Sequence, residues 1–160
     1  MENLPINHIE AGHYYHDRGF GCGQAVLAAF CQDFGMDVET ALKISTGFGS
    51  GMGRLCEVCG ALTGGFMVLG LKYGKVNTDG SKYGPATEIT YALTAKLAEM
   101  FKEKYGTIYC RDLLGLDLSL EAQRNIAVER NYFIERCGAY IQSSIEMVEV
   151  LLETPVPESE

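Results

Sequence analysis

Apolar residues recur at the three-to-four-residue spacing of an amphipathic helix along most of the chain. No segment alternates apolar and polar residues between turn signals, as a half-buried strand would. The pattern therefore predicts an all-α fold, a bundle of about six to eight helices. The predicted helical segments are 7–17, 22–34, 36–46, 56–73 and 84–106, a short one that carries Cys110, one that begins after Ser119, and 131–153.

Residues that favour helix ends support these boundaries. Asp37 and Ser119 are of the types that cap helix N-termini, and Pro85 suits the first position of a helix. Gly35 and Gly106 are expected to end the helices that precede them. These signals agree with the apolar periodicity, so we expect the helix ends to lie near them.

The length and the charge of the chain narrow the range of functions. Residues 1–160 are expected to form a single helical domain, ended by a disordered tail at 154–160 that is rich in proline and acidic residues. The formal net charge is −8, and the 13 basic residues are scattered. Because nucleic-acid binding requires clustered Lys and Arg, we expect no nucleic-acid partner.

The sequence also predicts a cytoplasmic protein. Residues 1–19 have neither the basic nor the apolar region of a secretory signal. The longest uncharged apolar stretch, Val58–Leu71, has 14 residues, whereas a membrane-spanning helix needs about 20. We therefore expect no membrane span.

Glycines dominate the segment "GFGSGMGRLCEVCGALTGG", residues 47–65. A nucleotide-binding loop would follow a strand and continue with Gly-Lys-Ser/Thr, and neither feature is seen. The segment around Gly51 instead predicts a tight, irregular loop with positive φ angles. Gly60 and Gly64, four residues apart, would allow a second helix to approach closely and to bring a side chain near Cys59.

The chain has six cysteines, and in a reducing compartment they serve as core residues, metal ligands or redox thiols. Three of the predicted helices begin near a cysteine, namely Cys22, Cys59 and Cys110. A helix N-terminus stabilises negative charge and can lower the pKa of a thiol. Cys56 and Cys59 also form a CxxC pair, which at this spacing would share one face of the predicted helix 56–73.

The stretch "CGALTGG", residues 59–65, fits the CGAxxG signature of a known family, and a cysteine lies upstream of it in "GCGQAV". With two cysteines downstream, the chain resembles the C_GCAxxG_C_C family of redox-active proteins over residues 18–140. The resemblance implies a small helical protein with a redox role, in which Cys59 is the reactive thiol. The four cysteines that match are Cys22, Cys59, Cys110 and Cys137. Cys31 and Cys56 fall outside the pattern.

Three functions remain open at this point. The first is a thiol oxidoreductase that works by dithiol/disulfide exchange or electron transfer with a redox partner, in which Cys59 is an ionised thiolate and Cys110 or Cys137 resolves it. The second is a binding module whose four cysteines hold zinc or an iron–sulfur cluster. The third is a helical scaffold, as a monomer or homo-oligomer, with structural cysteines. His13 and His16 are expected to be surface residues of the first helix.

Overall fold

The computed structural model of the protein describes Pro5 and residues 7–155, and helices dominate them. The α-helices are α1 (His8–Asp17), α2 (Cys22–Phe30), α3 (Val38–Ser45), α4 (Gly60–Tyr73), α5 (Pro85–Tyr105), α6 (Cys110–Leu114), α7 (Glu121–Glu129) and α8 (Tyr132–Glu153). Short 3-10 turns span Cys31–Phe34 and Thr46–Phe48. The described residues form no strand beyond one isolated bridge, between Val58 and Tyr109. The prediction of an all-α bundle of six to eight helices is confirmed.

Most of the predicted helix ends are also confirmed. The Asp37 side chain accepts a hydrogen bond from the Thr40 backbone N–H at 2.8 Å and caps α3. Pro85 is the first residue of α5, and Gly106 ends that helix in the left-handed region with φ 82°. The 3-10 turn that continues α2 ends at Gly35, where φ is 76°.

The predicted cap at Ser119 is wrong. Leu120 is the residue that precedes α7. The Ser119 backbone N–H and hydroxyl instead donate to the Asp117 carboxylate, at 3.0 and 2.6 Å. The Asp117 side chain draws Ser119 into a local turn, so the helix starts later than the sequence suggests.

The core lies between α2, α4 and α8. Helix α2 contacts α1, α3, α4 and α8, and helix α4 also contacts α5 and α8. The fully buried side chains at these contacts include Leu27, Leu62 and Ile145. Buried Ser144 of α8 donates a hydrogen bond to the Ala61 carbonyl at 2.6 Å, so a polar contact also joins α8 to α4.

The close helix approach predicted from Gly60 and Gly64 is confirmed, and the partner helix is α2. A Cβ atom added to Gly64 would lie 2.7 Å from the Gly23 carbonyl oxygen. A Cβ atom on Gly60 would lie 3.2 Å from Cys22 Cβ. Because these positions lack side chains, α2 can lie against α4 and bring Cys22 next to the start of α4.

The glycine-rich loop has the positive φ angles that the sequence predicts. Residues 50–54 all have positive φ, between 56° and 68°. The start of the next helix differs from the prediction, because α4 begins at Gly60 and Cys56 precedes it with φ 59°. Cys56 and Cys59 therefore do not share a helix face.

None of the described helices is long and apolar enough to cross a membrane. Helix α8 ends at Glu153. Most of the predicted disordered tail, residues 156–160, lies outside the described part of the chain.

Candidate functional site

Four cysteines from four different helices line one small cavity, here called the cysteine cavity, of about 30 Å³. Cys22 is the first residue of α2, Cys59 is the residue that precedes α4, Cys110 is the first residue of α6, and Cys137 lies in the second turn of α8. These are the four cysteines that the motif indicated. They are separated along the chain, so the tertiary structure brings them together.

Backbone hydrogen bonds place Cys59 beside Cys110. The Cys59 N–H donates to the Ile108 carbonyl at 2.8 Å, and the Cys110 N–H donates to the Glu57 carbonyl at 2.7 Å. This antiparallel pairing, which includes the Val58–Tyr109 bridge, ties the segment before α4 to the segment before α6. Both cysteines consequently lie in the same wall.

A second, larger cavity of about 280 Å³ adjoins the first and is called the outer cavity. Cys22 and Cys137 line both cavities. Cys59 and Cys110 line the cysteine cavity but not the outer cavity. We call Cys22 and Cys137 the outer pair and the other two the inner pair. The outer cavity reaches the surface where its lining residues Gly19 and Ile134 are exposed.

The four cysteines differ in exposure. Cys22 is half-buried, whereas Cys59 is 4% exposed and Cys110 and Cys137 are each 7% exposed. Cys22 and Cys137 line the outer cavity together. Of the four residues, Cys22 therefore has the largest exposed surface.

The two thiols of the outer pair influence each other. The neighbouring Cys137 thiol is the main reason that the pKa of Cys22 is raised well above its ordinary value, and burial is the second. All six cysteines are free thiols in this structure. The outer pair is thus a reduced dithiol whose two members are neighbours.

The expectation that Cys59 is an ionised thiolate is wrong for this state. The pKa of Cys59 is raised to about 12, mainly by burial and also by the nearby Cys22. Hydrogen bonds from the backbone at Ala61 and Leu62, in the first turn of α4, lower the pKa but do not offset the burial. Desolvation outweighs the helix N-terminus because the thiol lies in an apolar wall.

The Cys110 thiol, like that of Cys59, has a raised pKa. Burial is the main reason that the pKa of Cys110 is raised to about 12, followed by the neighbouring Cys59, Cys22 and Cys56. Each thiol in the cluster disfavours the ionisation of the others, since like charges close together repel. The inner pair is therefore protonated at neutral pH.

Cys31 and Cys56 are absent from the lining of both cavities, as the motif implied. The Cys56 sulfur accepts a hydrogen bond from the Leu118 backbone N–H at 3.2 Å, which ties the glycine-rich loop to the segment after α6. Buried Cys31 donates from its thiol to the Ala28 carbonyl at 3.5 Å. Both residues thus make hydrogen bonds within the fold and line neither cavity.

Two further residues of the cavities were not predicted as site residues. His16, expected at the surface, lines the outer cavity and is half-buried. Tyr140 lines the cysteine cavity and donates its hydroxyl to the Leu113 carbonyl at 3.1 Å. Tyr140 follows Cys137 by three residues on α8, so helical spacing could have indicated it. The position of His16 depends on the packing of α1 against α8, which the sequence pattern does not reveal.

The hypothesis of a metal site finds no matching geometry. Among the side chains of residues 5 and 7–155, no three His, Cys, Asp or Glu residues are arranged to hold a metal ion. His13, three residues before His16, forms a hydrogen bond with Gln142 at 3.0 Å. The arrangement that the structure does contain is a group of reduced thiols around one cavity.

Comparison with known proteins agrees with this chemistry. A family model described as "Putative redox-active protein (C_GCAxxG_C_C)" matches residues 20–151, a range that includes the outer pair and the inner pair. Neither the curated proteins nor the solved structures gave a match. The family match covers most of the chain. The chain therefore belongs to the C_GCAxxG_C_C family.

Proposed function

We propose that the protein is a thiol oxidoreductase that cycles between dithiol and disulfide states within the cysteine cavity. The observation that carries the proposal is the meeting of four distant cysteines in one cavity, in which Cys22 and Cys137 are neighbours. Formation of a disulfide requires sulfur atoms that approach to about 2 Å. Because Cys22 and Cys137 line the same cavity, side-chain rotation in this proposal brings their sulfur atoms together.

The outer pair reacts first in this proposal. Cys22, the less buried residue of the outer pair, attacks a disulfide R–S–S–R, releases one R–SH and forms a mixed disulfide. Cys137 then attacks the Cys22 sulfur, the second R–SH leaves, and a Cys22–Cys137 disulfide forms. The protein loses two electrons and two protons, and the substrate gains them as two thiols.

The inner pair serves as a reserve dithiol. Because Cys59 and Cys110 do not line the outer cavity, they exchange with the outer pair and not with the substrate. Attack by the inner thiols on the Cys22–Cys137 disulfide transfers the disulfide to Cys59–Cys110 and returns the outer pair to the reduced state. The raised pKa of both inner thiols keeps this second exchange slow at neutral pH.

The test is alkylation of each cysteine, followed by mass spectrometry, before and after mild oxidation. In the reduced protein we expect Cys22 to react with iodoacetamide first and the inner pair last. After oxidation the outer pair should be protected, and Cys137→Ser should abolish that protection. Cys31→Ala is the control, because Cys31 is buried outside both cavities.

Two results would contradict the proposal. One is that all six cysteines react equally slowly and mild oxidation protects none of them, as expected for a scaffold with structural cysteines. The other is that Cys31→Ala removes the protection as completely as Cys137→Ser.

A further inference from the structure

The outer cavity has an unusual lining for a protein with a net charge of −8. Apart from the two thiols, His16 is the one ionisable side chain among the residues that line it. The other walls are the aromatic rings of Phe20 and Phe133, the side chain of Ile134, and the backbone of three glycines with Ser50. The cavity is therefore neutral and partly apolar, with two sulfur atoms at its inner end.

We propose that the outer cavity binds a low-molecular-weight disulfide, and that His16 accepts the proton of the thiol that attacks it. The inference rests on the proposed function and adds to it a substrate class and a proton acceptor.

The size of the cavity supports a small substrate. Its volume of about 280 Å³ lies at the lower end of the range for small-molecule sites, which is about 300–1,000 Å³. A disulfide on the surface of a folded protein would have to insert a chain segment to reach the outer pair, because Cys137 is only 7% exposed. A small molecule reaches it without such a rearrangement.

The lining also favours an uncharged group next to the thiols. No carboxylate, ammonium or guanidinium group is among the described residues that form the walls. A charged substituent in the cavity would lose its hydration without gaining an opposite charge, which is unfavourable. The part of the substrate next to the disulfide is therefore neutral.

In this proposal His16 accepts the thiol proton of Cys22, since both residues line the outer cavity. Its ring packs on Gly138, the residue after Cys137, such that a Cβ atom on Gly138 would lie 3.7 Å from His16 Nδ1 and Cε1. Cys137 also lines the outer cavity. A neutral imidazole has one ring nitrogen that can accept a proton.

The charge state of His16 agrees with that role. Burial lowers the pKa of His16 below its ordinary value of 6.5, and nearby His13 lowers it further. The Phe133 backbone and the Asp17 carboxylate act in the opposite direction but are weaker. The imidazole is neutral at pH 7, so it can accept a proton from a buried thiol that ionises poorly on its own.

The proton that leaves Cys22 is passed on to the substrate within the cavity. The thiol proton of Cys22 moves to His16 as the sulfur attacks R–S–S–R, and the S–S bond of the substrate breaks. The imidazolium returns the proton to the departing R–S⁻, which leaves as R–SH. When Cys137 resolves the mixed disulfide, its proton leaves with the second R–SH, and His16 is again neutral.

The test is the rate at which the reduced protein reacts with 2-hydroxyethyl disulfide, a small neutral disulfide. We expect His16→Gln to lower the rate at neutral pH about 100-fold, the lower end of the contribution of a general base. The wild-type rate should fall as the pH drops through a value below 6.5, and that inflection should be absent in His16→Gln. His13→Gln is the matched control, because His13 lies on the same helix but does not line the outer cavity. Since His13 lowers the pKa of His16, this variant should keep the inflection and move it to a slightly higher pH.

A second variant tests the cavity without altering His16. Gly49 lines the outer cavity, its φ is −67°, and a Cβ atom there meets no atom within 4 Å. Gly49→Leu should therefore fold, narrow the cavity and lower the rate about tenfold or more. Gly47→Leu is its control, since Gly47 also has open space but does not line the cavity.

The outcomes separate this inference from the proposed function. Equal rates and equal pH profiles for wild type, His16→Gln and Gly49→Leu would overturn the inference, and so would faster oxidation by a disulfide-bonded protein such as insulin than by the small disulfide. The proposed function would still stand if mild chemical oxidation forms the Cys22–Cys137 disulfide. If neither 2-hydroxyethyl disulfide nor mild chemical oxidation forms the Cys22–Cys137 disulfide, the proposed function itself fails.

Discussion

Gly51 is the single residue on which the wall of the cysteine cavity most depends. Its φ is 65°, and a Cβ atom there would lie 2.6 Å from the Glu57 nitrogen and 2.8 Å from Cys110 Cβ. It belongs to a run of left-handed residues, 50–54, a conformation that costs about 1–2 kcal/mol for each residue other than glycine. The loop keeps this conformation because it closes the cavity between α2, α4 and α6.

Replacement of Gly51 should therefore be costly. We expect Gly51→Ala to lower the free energy of unfolding by about 3 kcal/mol, from backbone strain and overpacking together. Gly47→Ala, where a Cβ atom meets open space, should change it by less than about 0.5 kcal/mol. Urea unfolding of the reduced variants measures both, and equal stability of the two would show that the loop does not hold the cavity wall.

At the scale of helices, the contact between α2 and α4 positions the thiols. It brings the N-terminus of α2 next to the start of α4, with Gly64 at the point where a side chain would meet the Gly23 carbonyl. The same contact places Cys22 against Gly60. A small increase in the distance between these helices would separate the outer pair from the inner pair.

Two alanine variants of α4 should have opposite effects. Gly64→Ala should cost about 2 kcal/mol because the added methyl group overpacks the contact with α2, and it should speed alkylation of Cys59. Gly70→Ala lies on the same helix in open space, so it should add up to about 1 kcal/mol from helix propensity alone. Thermal unfolding and alkylation rates distinguish them. If Gly64→Ala were as stable as Gly70→Ala, the close contact would not be needed.

The helices themselves could be predicted from the sequence, because apolar periodicity and end signals such as Pro85 and Gly106 agree along most of the chain. The start of α4 could not, since it depends on a backbone pairing with the segment before α6, about 50 residues away. The four cysteines of the site were indicated by their motif. Their protonated state and the position of His16 in the outer cavity were not, because both depend on burial by helices that are distant in sequence.

At the scale of the whole molecule, the fold buries thiols and thereby makes its stability depend on pH. The pKa of Cys59 and that of Cys110 are raised to about 12 from an ordinary value of 9.0. Below pH 9 the folded and unfolded states both hold these protons, so the stability is fully present. Above it the unfolded state releases protons that the folded state keeps, and stability is lost as the pH rises towards 12.

This loss can be measured on the reduced protein. Between about pH 7.5 and about pH 10, the two inner thiols together should lower the free energy of unfolding by about 2–3 kcal/mol. The double variant Cys59→Ala/Cys110→Ala lacks both of these ionisable thiols, so its free energy of unfolding should fall less over the same pH range. Urea unfolding at the two pH values gives the comparison, and identical losses in the variant and the wild type would mean that the inner thiols are not protonated by burial.

We propose that the fold gathers four distant cysteines into one redox site whose outer pair reacts first. The decisive measurement is mass spectrometric mapping of the first disulfide formed on gradual oxidation of the wild-type protein. We expect a link between Cys22 and Cys137, with Cys31 and Cys56 still reduced. A first disulfide that includes Cys31 or Cys56, or oxidation that forms no disulfide within the chain, would contradict it.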